Sequence, residues 1–179
     1  VQIHGAGTAP YAGLGIIGNT NDADAGVLIL GKSRGTAVLA TTIVQDGDQL
    51  GRISFQGMDG TDLETGADIL AVVDGTPGDN DMPAELIFRT TADGANGSTQ
   101  HLAIRANGLI EAANAVVTGT DTDTSNTGNV TLDFTANNNF VLTLTGNTTL
   151  TNPSTEVVGQ SGFIAFIQDG TGGRTITLG

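Results

Sequence analysis

Between residues 46 and 108 the chain alternates short apolar bursts with clusters of Gly, Asp, Asn and Pro. The bursts lie at 52–56, 69–73, 86–89 and 102–105. In three of them the large apolar residues recur at every second position: Ile53 and Phe55, then Leu86 and Phe88, then Leu102 and Ile104. Arg52, Ser54 and Gln56 occupy the opposite parity. A period of two places successive side chains on opposite faces of a strand, so each burst predicts a strand with one apolar and one polar face. The intervening residues supply positive φ, Asx turns and preset dihedrals, which makes hairpins of neighbouring strands.

Outside this stretch the same reading continues. Residues 27–30 and 37–44 are short, apolar or β-branched runs that predict two earlier strands. Residues 1–15 carry no period and predict an irregular or extended entry. Residues 109–117 offer the chain's one candidate helix, although Asn114 and the valines after it fit a strand equally. Residues 118–128 are entirely small and polar and predict a linker, with a domain of residues 1–117 before it and one of 129–179 after it. In that second domain Val130, Leu132 and Phe134 share a face, as do Phe140, Leu142 and Leu144. Residues 163–167 predict a strand buried on both faces, 146–147 and 152–153 turns, and 175–178 a last strand. No repeat of fixed period supports a solenoid. An antiparallel, sandwich-like domain is expected, incomplete at its C-terminal end. The start at Val1 and the stop at Gly179 both read as cuts in a longer polypeptide.

Composition narrows the function. The 179 residues include 27 Gly, no Trp, one Tyr and six Phe, too few large side chains to fill an ordinary globular core of this length. Modules that complete their cores against identical neighbours need fewer. The formal net charge of −13 would repel a phosphate backbone or an anionic bilayer surface, so nucleic-acid binding is not expected. No apolar run approaches the ~20 residues of a membrane-spanning helix, and nothing at the start resembles a signal peptide. With no Cys there are neither disulfides nor thiolate metal sites.

Several motifs invite chemical readings. Gly26-Val27-Leu28-Ile29-Leu30-Gly31-Lys32-Ser33 matches the P-loop pattern, and residues 69–74 imitate a magnesium-holding strand. The four residues between the glycines are strand formers, however, and no helix follows the lysine to present its N–H groups to a phosphate. Asp121 and Asp123 open like a calcium loop, but Asn126 stands at the turn glycine and Leu132 at the bidentate Glu. Asp74, Asp79 and Asp81 around a Pro-Gly turn could face a hard cation, and Asx turns explain them equally well. Asp59, Asp62 and Glu64 could supply the two carboxylates of a glycosidase, although a close pair is expected by chance among 19 acids. His4 and His101 lie far apart, the latter on the polar side of its strand. Asn96-Gly97-Ser98, Asn129-Val130-Thr131 and Asn147-Thr148-Thr149 fit the glycosylation sequon in a chain rich in Asn and Thr. No catalytic, cofactor or metal residues are expected.

The phrases Gly47-Asp48-Gln49-Leu50-Gly51-Arg52-Ile53-Ser54-Phe55, Val73-Asp74-Gly75-Thr76-Pro77-Gly78, Asn80-Asp81-Met82-Pro83-Ala84-Glu85-Leu86-Ile87-Phe88-Arg89 and Leu102-Ala103-Ile104-Arg105 resemble, in that order, a module of tailed-bacteriophage fibres. Gly128-Asn129-Val130-Thr131-Leu132-Asp133, Thr143-Leu144-Thr145-Gly146-Asn147 and Gln168-Asp169-Gly170-Thr171-Gly172-Gly173-Arg174 resemble a β domain found near the ends of such proteins. The resemblance implies an all-β, elongated, homotrimeric fibre or spike segment on the outside of a virion, without catalysis. Other virion proteins would be its partners, and a host-surface glycan or protein its target. In that reading Ile53, Phe55, Leu86, Phe88, Leu102 and Ile104 form the threefold core of the first module, and Phe140, Leu142, Leu144, Ile164 and Phe166 that of the second. The rivals are a head fibre or decoration protein, a polysaccharide-degrading tailspike and a bacterial surface adhesin.

Overall fold

The computed structural model describes residues 14–19, 21–153 and 155–179. Among them every regular element is a strand: β1 (Gln49–Met58), β2 (Leu63–Val73), β3 (Ala84–Thr90), β4 (Thr99–Ile104), β5 (Ile110–Ala112), β6 (Thr120–Val130), β7 (Asn139–Leu150), β8 (Ile164–Gln168) and β9 (Ile176–Leu178). The chain separates into two compact units, Val1–Asn114 and Ala115–Gly179. The expectation at residues 1–13, His4 included, lies outside the described residues.

In the first unit β1 to β5 form an antiparallel meander in sequence order. The four apolar bursts are its strands β1 to β4, and the turn chemistry is local. Between β1 and β2, Asp59 Oδ1 accepts the N–H groups of Thr61 and Asp62 at 2.7 and 3.0 Å. After β4, Gly108 sits at φ +83°, a backbone region from which a Cβ is largely excluded, and the Arg105 N–H closes the turn onto Leu109 O. The candidate helix at 109–117 is absent. Ile110–Ala112 pairs with β4 instead, because an open sheet edge satisfies backbone groups that two helical turns would leave bare.

The predicted strands at 27–30 and 37–44 do not form. Neither run has a ladder partner among the described residues, and both are largely exposed, with Val38 and Leu39 more than nine-tenths accessible and Leu39 at φ +62°; Val44, at the end of the second run, is buried.

The second unit corrects the expectation of an antiparallel sandwich. β7 runs parallel to β6 on one edge and parallel to both β8 and β9 on the other. Phe140 to Leu144 pairs with β8, and Thr148 to Leu150 pairs with β9. β8, residues 169–175 and β9 therefore retrace the course of β7, one rung on the next. This is stacking of the solenoid kind without sequence periodicity. The polar run expected as a linker is itself β6 along most of its length, and the predicted turn at Gly146-Asn147 lies inside β7.

The return from β6 to β7 takes only residues 131–138, shorter than the dozen or more that usually join parallel strands. The register shifts in β6 between Asp123 and Asn126, and between Asn126 and Gly128, are where the strand can bend to allow it. Leu132, Phe140, Leu142 and Leu150 form the core, with Val130 and Phe134 against it. The rings of Phe134 and Phe140 meet edge to face, 5.1 Å apart and inclined by 65°.

Candidate functional site

Three surfaces stand out, and each arises from strand parity. Register puts Ile53 opposite Ile69, Ile69 opposite Phe88 and Phe88 opposite Leu102, while Leu86, Ile104 and Ile110 form a neighbouring row. Directly paired residues share a face, so one side of the first sheet is almost wholly apolar. Within the single chain that face is open. Ile53, Phe55, Leu86 and Ile104 are 37–55% exposed, and Phe88 and Leu102 half-buried. Leu30 touches it at one corner, where the missing side chain of Gly51 leaves space and an added Cβ would lie 2.6 Å from the Leu30 Cβ.

The opposite side was expected to be the wet one, yet it holds Leu70, Ile87 and Ala103, all buried, while Val73 is buried at the end of the apolar side. Leu70, Ile87 and Ala103 lie in one row that ends in Arg52 and Glu111, whose aliphatic stems can shield what their charged heads leave dry. The same side carries an ion cluster with no forewarning in the reading by bursts. Asp68 is fully buried, and Arg89 Nε, Arg52 Nη2 and Ser98 Oγ donate to its carboxylate at 2.7, 2.9 and 2.7 Å. Burial alone would push this carboxyl up; the hydrogen bonds from Arg89 and Ser98 outweigh it and hold the group below the ordinary carboxylate value. The signal in the sequence was an acid at the polar parity of β2, but naming its partners required the register.

Further along, Arg105 reaches Glu111 at 2.7 Å and Glu85 beside it, and the Asp74 carboxylate accepts the Ala106 N–H at 3.1 Å. That bond gives Asp74 a structural task. Asp81 bridges to Gly78 across the Pro-Gly turn. Asp59, Asp62 and Glu64 bring carboxylate oxygens within 4.8 Å of one another, all exposed, and Asp59 is already the cap of its turn. His101 is exposed and 3.2 Å from the Asn114 amide, on the polar side as expected. The P-loop-like run has Val27 to Leu30 in an exposed, non-helical segment, with Lys32 Nζ turned onto Ser33 O.

The third surface is the outer end of the second unit. Phe140, Leu142 and Leu144 are buried inside one chain, whereas Ile164 and Phe166, their neighbours in the next rung, are 38% and 36% exposed. Residues 163–167 are therefore not buried on both faces, because among the described strands β8 pairs with β7 alone. Leu178 beyond Leu150 is 78% exposed. Two cavities of about 380 and 290 Å³ open here, with Phe134 and Ile164 lining both. The β6 end contrasts sharply, being built from Thr, Asp, Ser and Asn.

Residues 124–179 match the model of a family described as a putative phage tail fibre C-terminal domain. That stretch is thus similar to a domain of a virion tail appendage, in line with the resemblance read from the sequence. No curated protein matches the chain. A solved structure, the carboxy-terminal domain of the bacteriophage T5 L-shaped tail fibre, aligns at 17% identity with a TM-score of 0.45, over 64% of this chain and 43% of that one. The chain thus spans less than half of the T5 chain.

Proposed function

We propose that this chain is a non-enzymatic segment of a phage tail fibre that associates as a homotrimer and helps to present a host-attachment region. The tail-fibre part of the reading rests on the match over residues 124–179. The trimeric part is carried by one observation, the apolar side of β1 to β5 that the chain itself leaves open. Ile53, Phe55, Leu86, Phe88, Leu102 and Ile104 meet their counterparts around a threefold axis, and burial there stabilises the assembly by ~25 cal/mol per Å² of apolar surface. Closing the cycle also covers exposed sheet edges that would otherwise template aggregation. Ile164 and Phe166 make the corresponding contact in the second unit, while Phe140, Leu142 and Leu144 serve each chain's own core. Other virion proteins hold the segment, and a host-surface glycan or protein is what the fibre meets.

Light scattering on the purified chain across a dilution series tests this. The expected result is the mass of three copies, held down to micromolar concentration. A folded, monodisperse monomer would overturn the trimer.

A further inference from the structure

The chain contains two Asn-Gly pairs, Asn96-Gly97 and Asn107-Gly108. In such a pair the glycine amide nitrogen can attack the asparagine side-chain carbonyl, since no Cβ obstructs the approach. The two pairs are held very differently. The Gly108 N–H donates to Arg105 O at 2.8 Å, and Asn107 Oδ1 accepts the Leu109 N–H at 3.0 Å, so nucleophile and electrophile are both engaged in the turn. Asn96 is exposed in the connection from β3 to β4, its amide makes no hydrogen bond within the described residues, and neither does the Gly97 N–H. Gly97 sits at φ +115°, with open space where a Cβ would be.

We infer that Asn96 is a site of spontaneous deamidation, and that the turn around Asn107 protects the second pair. Gly97 N loses its proton to solvent base and bonds to Asn96 Cγ. The Cγ–Nδ2 bond breaks and Nδ2 leaves, taking up a proton, as ammonia. Water then opens the resulting succinimide at either carbonyl, giving aspartate or isoaspartate.

Both products disturb their surroundings. The new carboxylate shares a cavity of about 230 Å³ with Asp59 and Glu64, so like charges gather there. Isoaspartate also adds a methylene to the backbone two residues before Ser98, whose hydroxyl supports the buried Asp68.

The test is storage of the full chain, folded, in mildly alkaline buffer, followed by peptide mapping and enzymatic methylation of isoaspartate. Asn96 should convert severalfold faster than Asn107, and the gap should close when the same chain is held in urea. Equal rates in the folded chain, or faster conversion at Asn107, would overturn the inference. Two variants read the consequence. Asn96→Gln should keep its thermal midpoint on storage while the parent loses some, and freshly made Asn96→Asp should melt below the parent by a margin that shrinks in salt. An Asn96→Asp midpoint equal to the parent's would overturn the proposed effect on the fold.

Discussion

Asp68 gathers Arg52, Arg89 and Ser98 around one fully buried carboxylate, and its removal is the sharpest single-residue test of the first unit. Asp68→Asn replaces an acceptor by a donor facing two arginines. Because breaking a buried, hydrogen-bonded charge pair leaves a cation uncompensated, the cost should be about 3 kcal/mol, read as a lower denaturant midpoint. The same carboxylate makes stability depend on pH. Its folded value lies below the unfolded one, so its contribution is complete above the ordinary carboxylate range and is lost as pH falls through the folded value. Asp48 behaves alike, pulled down to about 2 first by Arg34 and then by the Gln45 N–H. Asp59, Asp133 and Asp169 are lowered too, through backbone or side-chain donors. Acid unfolding should therefore be spread between pH ~4, where unfolded carboxylates titrate, and about 2, and Asp48→Asn should flatten that slope. Circular dichroism during acid titration would show it; stability unchanged from neutrality to pH ~2 would contradict it.

At the scale of elements, β7 organises the second unit, and alternation along it is strict: Phe140, Leu142 and Leu144, then Thr148 and Leu150, are all buried. Leu142→Ala removes a side chain with 1% exposure and should cost ~2–5 kcal/mol in calorimetry, with the first unit's transition unmoved. Gly162 tests how closely the segments approach. A Cβ there would fall 1.6 Å from Asn138 O, a backbone atom, so Gly162→Ala must displace the start of β7 and should destabilise by ~1–3 kcal/mol. These elements also show what the sequence can convey. Period two placed β1, β3, β4 and much of β7, because each has a face that some layer or partner must cover, whereas β2 showed only as an apolar run between turn residues. Parallel and antiparallel pairing produce the same alternation, so the stacking of β8 and β9 on β7 was not legible. β6 was hidden for a different reason. Its Thr, Asp and Ser residues have nothing to bury, and only the β7 edge makes them a strand. Residues 27–30 and 37–44 erred in the opposite sense, being apolar enough for strands but without a ladder partner among the described residues.

For the whole molecule, two forces oppose each other in the proposed trimer. Apolar faces draw copies together, while a formal charge of −13 on each pushes them apart. The exposed apolar residues of the first sheet carry no charge, so the attraction should survive salt, and the repulsion should not, since the Debye length falls from ~10 Å at 0.1 M to ~3 Å at 1 M. Trimers should therefore form at lower protein concentration as salt is raised. Phe55→Glu places a charge on the exposed face at its β1 edge and should shift the light-scattering mass to that of one chain, with the strand signal in circular dichroism retained, since Phe55 is 55% exposed within its own chain. Ile164→Glu makes the parallel test at the outer rung of the second unit. The contrast between ends gives this result its direction. An apolar β8 and β9 end stacking on the β6 end of another copy would meet Asp121 and Asp123, and would build an open filament. Equivalent ends meeting around an axis close the assembly at three. If salt instead weakened association, or mass grew without limit on concentration, ion pairs or end-to-end stacking would hold the copies together, and the threefold apolar core would be the wrong geometry.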